Sequence, residues 1–352
     1  QYNWTFNDIP IANATTFPAN PNTTHPFSGP NFTPGYNVSL EAVDSNNCKS
    51  TFSDFVQVSN NPEAIIEFDY STSNFTACKD ETIFISSLLS NYIDYGSQSV
   101  FWDVVSGPPN SWVFFDQSAP TTQITFTTAG SYVLRLEITD QNNCPGFEEV
   151  IIDVWDNPSP IIDPIQTVCQ GDPTILTHIT SSSVAIEKYE WNFGNGDPNE
   201  IIYNSVSSPN SGNTTKEYAC DDYDVTLEVT DANGCIGVSS QVNATINCLP
   251  TANFYASEEC FGFPTSFDAI TPPFNSIPAP GGSSIVTWEW ELDDPIQGIV
   301  TTPTAVGNHI WPFGGPSSQN TPDPYHLVTL TVYDNQSPSC QKQTTKPIIV
   351  HF

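Results

Sequence analysis

From Tyr223 to Val229 the chain alternates strictly. Tyr223, Val225, Leu227 and Val229 are apolar, and Asp224, Thr226 and Glu228 between them are polar. Successive side chains of a strand point to opposite faces, so a period of two predicts a β-strand with one buried and one wet face. β-Branched Val and Thr suit such a pleated, half-buried surface. The strand runs into a turn, Asp231-Ala232-Asn233-Gly234, that ends on Cys235. The same stretch recurs from Tyr36 to Cys48, from Tyr132 to Cys144 and, more loosely, from His326 to Cys340. A second alternating run follows each turn, over 55–58, 150–154, 242–246 and 348–350, which predicts an antiparallel hairpin closing each copy.

Another motif precedes each hairpin by 30–36 residues, clearest as Tyr189-Glu190-Trp191-Asn192-Phe193-Gly194-Asn195-Gly196. Its tryptophans, Trp4, Trp102, Trp191 and Trp290, are 98, 89 and 99 residues apart. That period is one small domain each, too long for a solenoid repeat. No long amphipathic helix is predicted, and 31 prolines would interrupt most candidates. The expectation is an all-β chain of tandem Ig-like β-sandwiches in an extended rod, with units over residues 1–62, 63–158, 159–249 and 250–352. The joints, at Asn61-Pro62, Asn157-Pro158-Ser159-Pro160 and Leu249-Pro250, are short and contain proline. With ten-residue strands of roughly 33 Å, three full sandwiches end to end would reach on the order of 100 Å. The first unit opens directly on its tryptophan strand. Its two missing strands are expected upstream in the natural chain or from another chain.

Charge narrows the function. Seven Lys+Arg stand against 39 Asp+Glu, a formal net charge of −32. Nucleic-acid binding needs a basic footprint and anionic membranes repel such a chain, so neither partner is expected. No apolar run approaches a membrane span, and no direct membrane insertion is expected. The chain starts at Gln1 and contains no methionine, which reads as a processed chain or a fragment.

Nine cysteines, none in a CxxC pattern, suit an oxidising compartment better than a metal site. Cys78 and Cys144 are 66 residues apart, Cys169 and Cys235 also 66, and Cys260 and Cys340 80. Three bridges of this pattern are expected, each tying an early strand to its own closing hairpin and each stabilising by roughly 4 kcal/mol. Cys48 would find its partner in the missing strands. The hairpin that turns at Asn233-Gly234 brings Cys220 opposite Cys248, which predicts a fourth bridge.

Candidate chemistry is sparse. The five histidines, His25, His178, His309, His326 and His351, are dispersed and share no signature with a nucleophile, so no enzyme is expected. Asp221, Asp222 and Asp224, and Asp293 with Asp294, are candidate Ca2+ ligands, because hard cations take oxygen ligands from loops. Neither group has EF-hand spacing, and solvated acidic loops are the plainer reading. The four motif tryptophans could stack on sugars, but the alternating strand they occupy favours core packing. Trp311 and Phe313 lie in a long loop and are the candidate exposed ligand contacts.

The Trp191–Gly196 motif, followed by Tyr223 to Val229, resembles the PKD (polycystic kidney disease) domain family, whose core reads W-D-F-G-D-G with a later Y-x-V-x-L-x-V strand. The first two units keep the tryptophan and the later strand but lose the glycines. The fourth has Trp290-Glu291-Leu292-Asp293-Asp294 and puts His326 where the tyrosine should be. The resemblance implies Ig-like sandwiches and says little about function. The tandem, cysteine-ended repeats look like PKD-like repeats in very large surface proteins of Bacteroidetes-type bacteria, including gliding-motility adhesins exported by the type IX route. That likeness implies an extracellular, cell-surface, structural or adhesive segment. Its partners would be further repeats of the same long chain and a surface polysaccharide or another cell-surface protein. A carbohydrate-binding accessory module of a secreted hydrolase and a calcium-dependent filament-assembly module are the alternatives.

Overall fold

A computed structural model describes residues 2–6, 15–18, 24–27, 29, 31–58, 60–69, 75–91, 97–204, 211–260, 262–273, 275–293, 299–302, 304–311 and 325–351. Every regular element among them is a β-strand, and no helix there is long and apolar enough to cross a membrane. The chain forms two compact units, Gln1–Asp156 and Asn157–Phe352, each holding two of the sequence repeats.

In the first unit, Thr15–Pro18, Tyr2–Phe6, Asn31–Val43 and Lys49–Val58 line up, in that order, as one four-stranded sheet. Phe6 and Tyr36 are buried, and Tyr36 Oη donates to Gly29 O at 2.7 Å. The second repeat is a complete sandwich. One sheet orders Glu67–Phe68, Thr82–Ser86, Thr121–Phe126 and Trp112–Phe114; the other orders Thr76–Cys78, Pro145–Trp155, Gly130–Asp140 and Ser97–Ser106. Alternate residues Tyr132, Leu134, Leu136 and Ile138 of the hairpin strand fill its core with Trp102, Ile124 and Phe126. Burying each such side chain stabilises by about 1.5–3 kcal/mol.

The second unit repeats the plan twice. In the third repeat, Val168–Cys169, Val242–Asn247, Asp222–Asp231, Ile186–Asn192 and Glu200–Tyr203 form the larger sheet. In the fourth, Glu259–Cys260, Gln341–His351, Tyr325–Asp334, Ile285–Leu292 and Ile299–Thr302 do so. Trp191 pairs with Leu227, and Trp290 with Leu330, so the motif tryptophan always faces the hairpin's apolar row. The tyrosine opening that row caps the preceding loop: Tyr132 Oη donates to Thr128 O at 2.6 Å, and Tyr223 Oη to Ala219 O at 3.3 Å. Tyr132 is fully buried and Tyr223 half-buried, and a tyrosine ring packed on the core with its hydroxyl on upstream backbone is a hallmark of Ig-like sandwiches. The molecule is therefore an all-β array of tandem Ig-like modules.

Candidate functional site

The feature common to all four repeats is the turn before the second hairpin strand. In each, one aspartate oxygen accepts two backbone N–H groups. Asp44 Oδ1 takes Asn46 and Cys48, Asp140 Oδ1 takes Asn142 and Cys144, Asp231 Oδ1 takes Asn233 and Cys235, and Asp334 Oδ1 takes Gln336 and Cys340, at 2.8–3.2 Å. The aspartate N–H closes the loop on the cysteine carbonyl at 3.0–3.2 Å. Charge-assisted bonds of this kind are about twice as strong as neutral ones. Asp140, Asp231 and Asp334 are buried, so the turn cysteine is held on a fixed mount. Glycine is needed just beyond two of them: a Cβ at Gly146 would lie 2.1 Å from Pro62 O, and one at Gly237 1.7 Å from Pro158 O.

The early cysteines share a second mount. Cys78 pairs in parallel with Trp155, Cys169 with Asn247, and Cys260 with His351, at the far end of the closing strand. Each then enters a tight turn: the carbonyls of Cys78, Cys169 and Cys260 accept from Glu81, Asp172 and Phe263 N at 3.2, 3.0 and 3.0 Å. The third turn residue has positive φ every time (Asp80 63°, Gly171 89°, Gly262 86°).

These two mounts overturn the expected pairings within repeats. The closing strand Pro145–Trp155 begins beside Cys144 and ends beside Cys78. Eleven strand residues separate such cysteines by roughly 35 Å, whereas a disulfide needs Cα atoms about 4.4–6.8 Å apart. Cys169 instead bonds Cys340, with Cα atoms 5.6 Å apart, so the third repeat's early cysteine is joined to the fourth repeat's turn cysteine. The Cys169–Cys235 and Cys260–Cys340 pairs are thereby replaced. Cys78 is in a disulfide, and so is Cys235; Cys144 is half-buried and not in a disulfide, and Cys260 and Cys48 are exposed thiols. The Cys78–Cys144 pairing is thus also corrected. Cys220 and Cys248 are bonded, with Cα atoms 4.7 Å apart, at the open end of the third repeat's hairpin. Their strands pair Asp222 with Thr245, which leads the cysteines into register.

Hydrogen bonds reinforce the joint between the third and fourth repeats. Gln336 Nε2 donates to Cys248 O at 2.8 Å, and Asn247 Nδ2 donates to Pro338 O at 3.1 Å. Beside the bridge lies an open cleft of about 810 Å³ lined by Asp172, Glu289, Glu291, Tyr333 and Lys342 among others.

Trp102 and Trp191 are fully buried, and their indole N–H groups donate to Ala119 O and Gly212 O at 3.0 and 2.7 Å. Trp290 is buried and Trp4 half-buried. Trp311 is not the exposed contact expected: it is 2% exposed. Its ring stacks on His326 with centroids 3.9 Å apart, and His309 meets it edge-on at 4.5 Å. His326 occupies the tyrosine position without a tyrosine's reach, and Trp311 completes the packing there. Phe313 and Asp294 lie outside the described residues. Asp221, Asp222, Asp224 and Asp293 are exposed, and among the described residues no three His, Cys, Asp or Glu side chains form a group that could hold a metal ion.

Two of the shifted titrations, at His178 and Tyr218, come from packing. Burial against Tyr189 and Trp191 pushes the His178 imidazole below its ordinary value, while Ser211 O, bonded to Nε2 at 3.0 Å, pulls it back up. Burial and the neighbouring Tyr223 push the Tyr218 phenol up to about 12.

No protein-family profile matches the chain, and no curated protein matches it. Among solved structures it is similar to the fibronectin(III)-like modules of Clostridium thermocellum CbhA, at 14% identity over 52% of this chain and 95% of that one, with a TM-score of 0.30. An I-band fragment of titin matches at 11% identity over 84% and 100%, with a TM-score of 0.30. A 1.5-MDa bacterial ice-binding adhesin matches at 9% identity over 83% and 99%, with a TM-score of 0.27. Likenesses this distant concern the fold alone.

Proposed function

We propose that the chain is a non-catalytic, structural and adhesive segment of a long cell-surface repeat protein of the PKD-like type, as in bacterial gliding adhesins exported by the type IX route. The observation that carries this reading is the Cys169–Cys340 bridge. A covalent tie from one sandwich to the next limits how far neighbours can separate, which serves a chain under tension. Disulfides suit an extracellular, oxidising setting. The net charge of −32 keeps the segment soluble and neighbouring chains apart. Ligand contact, with a surface polysaccharide or another cell-surface protein, falls to the loops in which the repeats differ.

Single-molecule pulling tests it. In the oxidised chain the span of 171 residues between Cys169 and Cys340 should add no length as force rises. With reductant it should add roughly 3.3–3.6 Å per residue. Identical traces in both states would sink the mechanical reading.

A further inference from the structure

We propose that Cys260 and Cys48 are complementary halves of a further bridge of the Cys169–Cys340 kind. Cys260 receives the turn cysteine of another repeat of this type, and Cys48 is delivered to the early cysteine of another such repeat. The inference rests on the reading of the chain as a covalently jointed array and names the chemistry of its joints.

The two thiols are exposed, and each sits on a mount whose use is visible elsewhere in the molecule. Cys260 matches Cys169 in three respects: parallel pairing to the end of the closing strand, a carbonyl that accepts from the third residue onward, and a glycine of positive φ two residues later. In Cys169 that mount presents sulfur to the next repeat's turn. Cys48 matches Cys340. Its N–H and that of Asn46 are fixed at 2.8 Å by Asp44 Oδ1, as Asp334 fixes Cys340 and Gln336. The first cysteine is thus a socket and the second its plug. A socket on one repeat and a plug on another make a heterologous contact, which extends without closing.

The step balances as thiol oxidation. Cys260 and Cys48 each lose a proton and an electron as the S–S bond forms. A small disulfide such as oxidised glutathione takes both and leaves as two thiols, through a mixed-disulfide intermediate.

A second copy of the chain supplies the probe, since its Cys48 is a plug for the first copy's Cys260. Concentrated chain is incubated with oxidised glutathione, digested without reduction and analysed by mass spectrometry. The expected result is head-to-tail oligomers whose Cys260–Cys48 peptide far exceeds both symmetric products. Indiscriminate oxidation of two exposed thiols would give the mixed product at only about twice each symmetric one. Cys48→Ser should abolish the oligomers while leaving the Cys169–Cys340 and Cys220–Cys248 peptides intact, which shows that the fold survives. Statistical products, or glutathione adducts alone, overturn the proposal. A chain that forms the Cys260–Cys48 peptide yet fails the pulling test keeps this inference and loses the mechanical function.

Discussion

The third repeat carries two disulfides of opposite character. Cys220–Cys248 spans 28 residues and clamps a hairpin whose strands are already in register. Cys169–Cys340 spans 171 residues and joins that repeat to the next. The first follows from local pairing alone. The second depends on which pole of the sandwich each cysteine occupies, and that is decided by the parallel docking of the two-residue strand Val168–Cys169. One bridge reports the strand, and the other reports the polarity of the domain.

Removing each bridge in turn sharpens this contrast. Cys169→Ser should have the largest effect, with a chain-entropy ceiling of about 5 kcal/mol. In calorimetry, the third and fourth repeats should melt together in the parent chain and separate into two transitions in the variant. A single unmoved transition would mean that the bridge couples nothing. Cys220→Ser should cost at most about 3.6 kcal/mol. It should lower the melting of the third repeat and leave the two repeats coupled. Asp334→Ala should be milder, about 1–3 kcal/mol, because Gln336 and Cys340 N–H lose their acceptor. After reduction and reoxidation, followed by peptide mapping, that variant should regain Cys169–Cys340 slowly and Cys220–Cys248 at the parent rate. Equal slowing of both bridges would refute a role for the aspartate mount at the joint.

Much of this architecture is legible in the sequence, because alternation and recurring tryptophans are local signals. Tyr132 to Ile138 reads as a strand with one apolar face, and that face is buried. The register that brings Cys220 to Cys248 can be counted from the turn. Pairing of the early cysteines cannot, because a strand of two or three residues has no periodicity to read. The matched spacings of 66 residues reflect two equivalent mounts in each repeat and not a bond between them. Trp311 was hidden for another reason. Its stretch has no alternation, and its burial depends on His326, far along the chain, standing where other repeats have tyrosine. That departure was the available clue, since a missing large ring leaves volume that another must fill. The aspartate mount was also on view, as an Asp four residues before Cys48, Cys144 and Cys235 and six before Cys340.

The parallel seat of Cys169 also sets a clock. Its partner is made 171 residues later, whereas Cys248 follows Cys220 by only 28. As the chain is synthesised from its N-terminus, the hairpin clamp can close while the repeat is still alone. The joint must wait for its successor to fold and present Cys340. The third sandwich is therefore finished one repeat late, and the order of its two oxidations follows the direction of the chain.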